Sequence, residues 1–284
     1  MNYPDLYQSK RINLVPPTSY QGGKIRIASE ILKHIKIPDD FLFYDFCCGS
    51  GSISLSLINS GFDPSRITMV DFGPYGIFWE RIANKEFDLD YFKKICDSIP
   101  NNLKKVSSYL DNLSRQKCEQ KDIPYMFLLL QSGAFGGKSI WIDSRGFWMN
   151  CSFRNYWEPK EGCNRKSPVN PMMPMPKTLF QRVSTIVKNC SGIKAYCKKI
   201  EEISLPNNCI VYIDPPYKNT TGYISEFDIE KVIEKIKVPC YVSEGIPLGN
   251  NSVLISEPRV KGGINGKRTK NGSFEYLSKF NMEN

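Results

Sequence analysis

Four consecutive residues, Asp214-Pro215-Pro216-Tyr217, place a carboxylate, two rigid imino acids and a phenol directly after the apolar run at residues 209–213. Two prolines after a strand make a rigid turn on their own account, but a turn requires neither an acid before them nor an aromatic after them. With the backbone fixed, the Pro215 carbonyl and the Asp214 carboxylate stand side by side as acceptors for the two hydrogens of an amino group. Little flexibility is lost when that group binds. Tyr217 can stack on the ring that carries the amine. Such a site holds no nucleophile and no metal, so it suits a reaction in which the substrate's own nitrogen attacks.

A second constellation lies upstream. The run Asp45-Phe46-Cys47-Cys48-Gly49-Ser50-Gly51 follows an apolar stretch and precedes a helical one. In that context a glycine turn lets the backbone approach a ligand while helix N–H groups face it. It is not a full dinucleotide fingerprint, since Ser54 occupies the third glycine position. Asp71 comes 20 residues after Gly51, at the end of the next apolar run, where a carboxylate can accept from both hydroxyls of a ribose. Turn and acid together imply a nucleoside-bearing cofactor.

These residues need a scaffold that brings strand ends together. Short apolar runs at 41–46, 67–70, 193–196, 209–213, 238–242 and 253–255 read as strands, with helical stretches at 53–60 and 229–236 between them. Strands separated by helices imply a doubly wound, mostly parallel α/β sheet of Rossmann-like type. Residues 75–175 differ: 91–99, 103–113 and 123–131 read as helices, followed by a basic aromatic stretch and the proline-dense residues 167–176, which exclude helix and inner strand. The expected division is residues 1–75 and 176–284 as the sheet domain and 76–175 as an inserted, mainly helical lobe.

Composition removes other chemistries. The 284 residues hold a single histidine, His34, on the pattern Ile31, Leu32, Ile35 of a short amphipathic helix, where a solvated side chain is expected. No apolar run approaches the ~20 residues of a membrane span, and residues 1–10 lack the apolar core of an export signal. Ten cysteines without a CxxC pair are expected reduced, with no zinc site and no other metal. The net charge of +9 is local: residues 138–188 carry nine basic against three acidic residues, and 258–284 carry six against two. Two basic segments on a nearly neutral body read as a footprint for a polyanion. The first also holds Trp141, Trp148 and Trp157 among Phe147, Phe153 and Tyr156, which suits either base stacking or a small aromatic core.

Tyr20-Gln21-Gly22-Gly23-Lys24, Asp45 to Gly51 and Asp214 to Tyr217, in that order, resemble the motifs of the Dam-like adenine-specific DNA methyltransferases. The continuation Lys218 to Tyr223, Val242-Ser243-Glu244, and Gly266 to Lys270 through Phe274 resemble phage and bacterial members of that family. The resemblance covers about residues 18–75 and 180–280; the middle is matched only loosely, as a divergent target recognition lobe would be.

The resemblance implies S-adenosylmethionine as cofactor and double-stranded DNA as partner. Asp45, Cys47, Gly49 and Gly51 would line the cofactor, Asp71 would hold its ribose, and Tyr20, Gly22, Gly23 and Lys24 would close over its methionine end. A flipped-out adenine would stack on Tyr217 and donate its amine to Asp214 and the Pro215 carbonyl, with Pro216 rigidifying the turn. DNA contacts would come from Arg145, Arg154, Arg165 and Lys166 in the lobe and from Lys267, Arg268 and Lys270 near the C-terminus. A monomer or weak dimer in the cytoplasm, that of the host for a phage protein, with or without a cognate restriction enzyme, completes the expectation. There are two departures from the family: Cys47 stands where Phe is usual, and Cys197, Lys198 and Lys199 stand where an acid usually meets the cofactor's adenine, leaving Glu201 or Glu202 as the substitute. Methylation of a cytosine amine, or a DNA-binding homologue impaired in catalysis, are the alternatives.

Overall fold

The computed structural model describes residues 13–20, 22–155, 161–162, 174–216, 227–257, 261–262, 268–269 and 274–282. Their centre is a seven-stranded sheet. In chain order its strands are β1 (Leu42–Phe46), β2 (Ile67–Asp71), β5 (Lys194–Cys197), β6 (Cys209–Ile213), β7 (Cys240–Glu244), β8 (Ser252–Ser256) and β11 (Glu275–Phe280). The minor strands are β3 (Trp141–Ile142) with β4 (Trp148–Met149), and β9 (Lys261–Gly262) with β10 (Arg268–Thr269).

The sheet order is β5-β2-β1-β6-β7-β11-β8. The five strands from β5 to β7 are parallel, and β11 runs antiparallel to both β7 and β8. From β1 the chain moves outward to β2 and β5, then returns to build β6 and β7 on the other side. That reversal opens a crevice beyond the carboxyl ends of β1 and β6, where open α/β sheets bind ligands.

Side chains alternate between two cores, as the twofold period of a strand requires. Phe43, Met69, Tyr212, Tyr241 and Leu277 face one core; Phe46, Val70, Val211, Ile213 and Val242 face the other. The first core is covered by α1 (Ala28–Lys33), α2 (Ser52–Asn59), α3 (Pro74–Ala83), α4 (Leu89–Asp97), α5 (Val106–Ser114), α6 (Ile123–Gly133) and α7 (Pro176–Asn189), and the second by α8 (Ile229–Lys235). With helices on both faces, the mostly parallel sheet has the doubly wound α/β arrangement expected.

The helices follow their local signals. Pro74, Pro124 and Pro176 each sit in a first turn, where the missing N–H costs nothing. Asp88 and Asp228 cap α4 and α8 by accepting from Tyr91 N–H and Lys231 N–H. In α7, Leu179, Val183 and Ile186 form one buried stripe, whereas α6 is apolar nearly all round and almost wholly buried. The expected boundary at residue 75/76 falls inside α3, whose Tyr75, Phe78 and Trp79 belong to the sheet's core. α4, α5 and α6 extend that same core through Phe92, Leu110 and Phe127. His34 ends α1 with Nε2 3.8 Å from a Glu30 oxygen, outside the cleft described below.

Candidate active site

The carboxyl ends of β1, β2, β5 and β6 border a cleft of about 550 Å³. Its lining joins Tyr20, Gly22, Gly23, Lys24, Asp45, Cys47, Gly49 and Asp71 to Asp214, Pro215 and Pro216. Residues as far apart in the chain as Tyr20 and Pro216 therefore share one concavity. Tyr217 lies outside the described residues.

The glycine turn is held from every side. Cys47, Gly49 and Gly51 all have left-handed backbone, at φ 55°, 48° and 77°. Gly51 caps α2 without lining the cleft, and a Cβ there would come within 2.4 Å of the Trp79 ring. Trp79, fully buried, donates its indole N–H to the Gly49 carbonyl at 2.8 Å, and Gly49 N–H donates to Asp71 Oδ2 at 2.8 Å. Burial pushes the Asp71 carboxyl up to about 6 although the Gly49 N–H favours its charged form.

Gly51 has no side chain to cap α2, and Asp45 supplies the cap from β1. Its Oδ2 accepts from Ser54 N–H at 3.2 Å and Ser54 Oγ–H at 2.6 Å. Ser54, at the position of a third glycine, thus ties the strand to the helix. Burial pushes Asp45 up to about 7, the two Ser54 bonds oppose this, and the nearby Asp214 and Asp71 charges add to it.

Tyr20 meets Tyr75 edge-on with ring centres 5.3 Å apart, and its hydroxyl is 3.3 Å from Ser139 Oγ. Lys24, expected at the cofactor's methionine end, is directed across the cleft. Its buried Nζ donates to Asp214 Oδ1 at 2.7 Å and to the Gly22 carbonyl at 3.0 Å, and lies 3.7 Å from Glu275 Oε1. Asp214 is anchored through its own N–H to the Phe46 carbonyl at 3.2 Å.

Several lining residues belong to none of the sequence motifs. Phe72 follows Asp71 and is half exposed, with Lys199 Nζ 5.6 Å from its ring centre. Glu201 lines the cleft and Glu202 does not, while Cys197, in the place of the usual acid, has its thiol 3.6 Å from the Gly73 carbonyl. Ser139 and Trp141 reach in from the middle of the chain, beside buried Gln131, whose amide bonds the Lys138 carbonyl and Ile140 N–H. Glu275 has no local signal, since the strand that begins at it alternates only weakly.

The basic segments divide. Arg145 sits on the β3–β4 hairpin, largely exposed, with Nε and Nη2 2.9 and 2.8 Å from Asp143 Oδ2. Arg154 is half-buried, and among the described residues its Nε and Nη2 find no hydrogen-bond partner. Arg165, Lys166, Lys267 and Lys270 lie outside the described residues, and Arg268 is described only as part of β10. The aromatics divide as well: Trp148 stacks on Phe127 in the core, Trp141 faces the cleft and Phe147 is exposed. Trp157 and Tyr156 are outside the described residues.

The nine described cysteines are unpaired, and Cys240, fully buried on β7, has its thiol pushed up by burial, which suppresses a nucleophilic thiolate. Among the described residues no cluster of His, Cys, Asp or Glu could hold a metal ion, and no helix is long and apolar enough to cross a membrane. No family model matches the chain, and no curated protein matches it significantly.

Proposed function

We propose that this protein transfers a methyl group from S-adenosylmethionine to the exocyclic amine of adenine in double-stranded DNA. The observation that carries the reading is the meeting, in one cleft at the sheet's reversal point, of the Asp45–Gly51 turn and Asp71 with Asp214-Pro215-Pro216. The lining supports this cofactor: backbone free of Cβ at Gly49, the Asp71 carboxylate as a candidate acceptor for ribose hydroxyls, and further carboxylates that would favour a cationic ligand. In chain order the sheet reads 3-2-1-4-5-7-6 with an antiparallel strand inserted, which departs from the 3-2-1-4-5-6 of dinucleotide-binding sheets.

When bound, the cofactor supplies an electrophilic methyl group. The chain supplies alignment. Asp214 and the Pro215 carbonyl accept the two N–H bonds of the amine, which keeps the nitrogen lone pair out of the ring and aims it. As the nitrogen gains its new bond it sheds a proton, for which Asp214 is the adjacent carboxylate. Tyr217 would stack on the flipped base, and the hairpin bearing Arg145 would meet the phosphates.

The test is calorimetric binding of S-adenosylmethionine followed by methyl transfer to adenine-containing duplex DNA. Wild type should bind and transfer. Asp214→Ala should bind and lose at least about a thousandfold in rate, in line with removal of a group that both orients and accepts a proton. Wild type inert across salt concentrations would sink the reading, and methyl groups found on cytosine amines would redirect it.

A further inference from the structure

The parallel strands deliver their last residues to the cleft edge, so Asp214 arrives there from β6 and Glu244 from β7. An antiparallel strand delivers its first residue to the same edge, and β11 begins with Glu275. The pairing of β11 with β8 shifts register between Glu275 and Tyr276. Such irregularities re-aim side chains and gather next to active sites. Glu275 is buried, lines the cleft and reaches within 3.7 Å of Lys24 Nζ.

Lys24 is thereby shared. The ammonium donates to Asp214 at 2.7 Å and to the Gly22 carbonyl at 3.0 Å, and pairs with the Glu275 carboxylate at 3.7 Å. A buried ammonium facing Asp214 alone would fix that carboxylate in place but cancel the charge with which it accepts an amine proton. A second carboxylate against the same ammonium leaves the three groups with a net negative charge. We infer that Glu275 is a positioning residue for the transfer step, holding Lys24 so that Lys24 orients Asp214 without neutralising it. This role rests on the methyltransferase reading and adds β11 to the elements that build the site.

The experiment is single-turnover methyl transfer to adenine-containing duplex at saturating S-adenosylmethionine, with cofactor affinity and melting temperature measured on the same proteins. Glu275→Gln should slow transfer roughly tenfold to a hundredfold with cofactor affinity within about twofold of wild type. Glu275→Asp, which keeps the charge, should recover part of the rate and serves if the glutamine variant fails to fold. In a Lys24→Gln background, Glu275→Gln should cost less than about twofold, because it acts through Lys24. Wild-type turnover unchanged by Glu275→Gln, or costs that add fully in the double variant, would overturn this role alone. A wild type that transfers nothing to adenine overturns the methyltransferase reading and this role with it.

Discussion

The two sides of the cleft are held by different physics. On the glycine side every tie is short range in the fold: β1 to α2 through Asp45 and Ser54, β1 to β2 through Gly49 and Asp71, and the turn to α3 through Trp79. On the acceptor side Asp214 is held by charge from segments 190 residues before it and 61 after it, meeting at one ammonium. A turn fixed by sterics and by hydrogen bonds between neighbouring elements depends on few distant partners. A triad of charges is only as good as the burial and the partners of each member. The first side is a preformed cradle and the second a tuned one.

Replacing Gly51 by Ala strikes the cradle hardest. Its φ of 77° is strained for any residue with a Cβ, and that carbon would sit 2.4 Å from Trp79 Cζ2 and 2.9 Å from Met69 Cε, both in the core. Strain and overlap together should cost about 4 kcal/mol and lower the melting temperature by roughly 10 °C. Gly49→Ala, with 3.4 Å to the Tyr20 ring, should cost about 1 kcal/mol in stability while weakening cofactor binding more. Equal melting temperatures for the two variants would break the picture of a turn locked on Trp79.

Lys24→Met strikes the tuned side and should destabilise by about 3 kcal/mol, since it leaves two carboxylates facing each other in a largely buried site. Transfer should fall far more than cofactor affinity. Losses of equal size would put Lys24 on the cofactor side, as the sequence motif had implied.

A pH titration tests the glycine side through two readouts of opposite sign. The Asp45 and Asp71 carboxyls stand at about 7 and about 6 in the fold, above the ordinary 3.8, so the folded chain holds their protons more tightly than the unfolded chain does. Their contribution to stability is full below the unfolded value of 3.8 and is lost as pH rises to about 7, by several kcal/mol, and Asp45→Asn should flatten that slope in thermal melts. Cofactor affinity should move the other way, rising through pH 6 as Asp71 becomes an acceptor for ribose hydroxyls. A stability that rises over this window would show that Asp45 is charged and fully compensated in the fold.

The same contrast explains what the sequence made legible. β6 is a continuous apolar run ending in Asp-Pro-Pro, and its span is read residue for residue. The glycine turn and Asp71 are read from strand, turn and helix signals within 30 residues of one another. β11 is not, because Glu-Tyr-Leu-Ser-Lys-Phe alternates only weakly and its partners are strands 31 and 19 residues or more away. α3 was hidden by its Pro74 and Gly76, although Gly76 is required where a Cβ would come within 2.3 Å of the Asp71 carbonyl. Lys24 was found as a motif member, but its direction toward Asp214 is set by burial and by Glu275, which no spacing encodes.

The smallest effect is expected on the hairpin, where exposure replaces burial. Asp143 accepts from the N–H groups of Arg145 and Phe147 as well as from the Arg145 guanidinium, and these bonds hold its carboxyl below the usual range. The Arg145 side chain is largely exposed, so Arg145→Ala should change stability by less than about 0.5 kcal/mol. Its effect should appear in DNA binding as a salt dependence reduced by about one counterion. Asp143→Asn keeps the acceptor for both backbone N–H groups and removes only the charge that competes with phosphate for Arg145. It should therefore raise DNA affinity severalfold at low salt, and that gain should vanish in the double variant with Arg145→Ala. Filter-binding titrations between about 50 and 200 mM salt resolve both changes. If neither variant alters the slope, the hairpin faces away from DNA and the polyanion footprint belongs to the other basic segment.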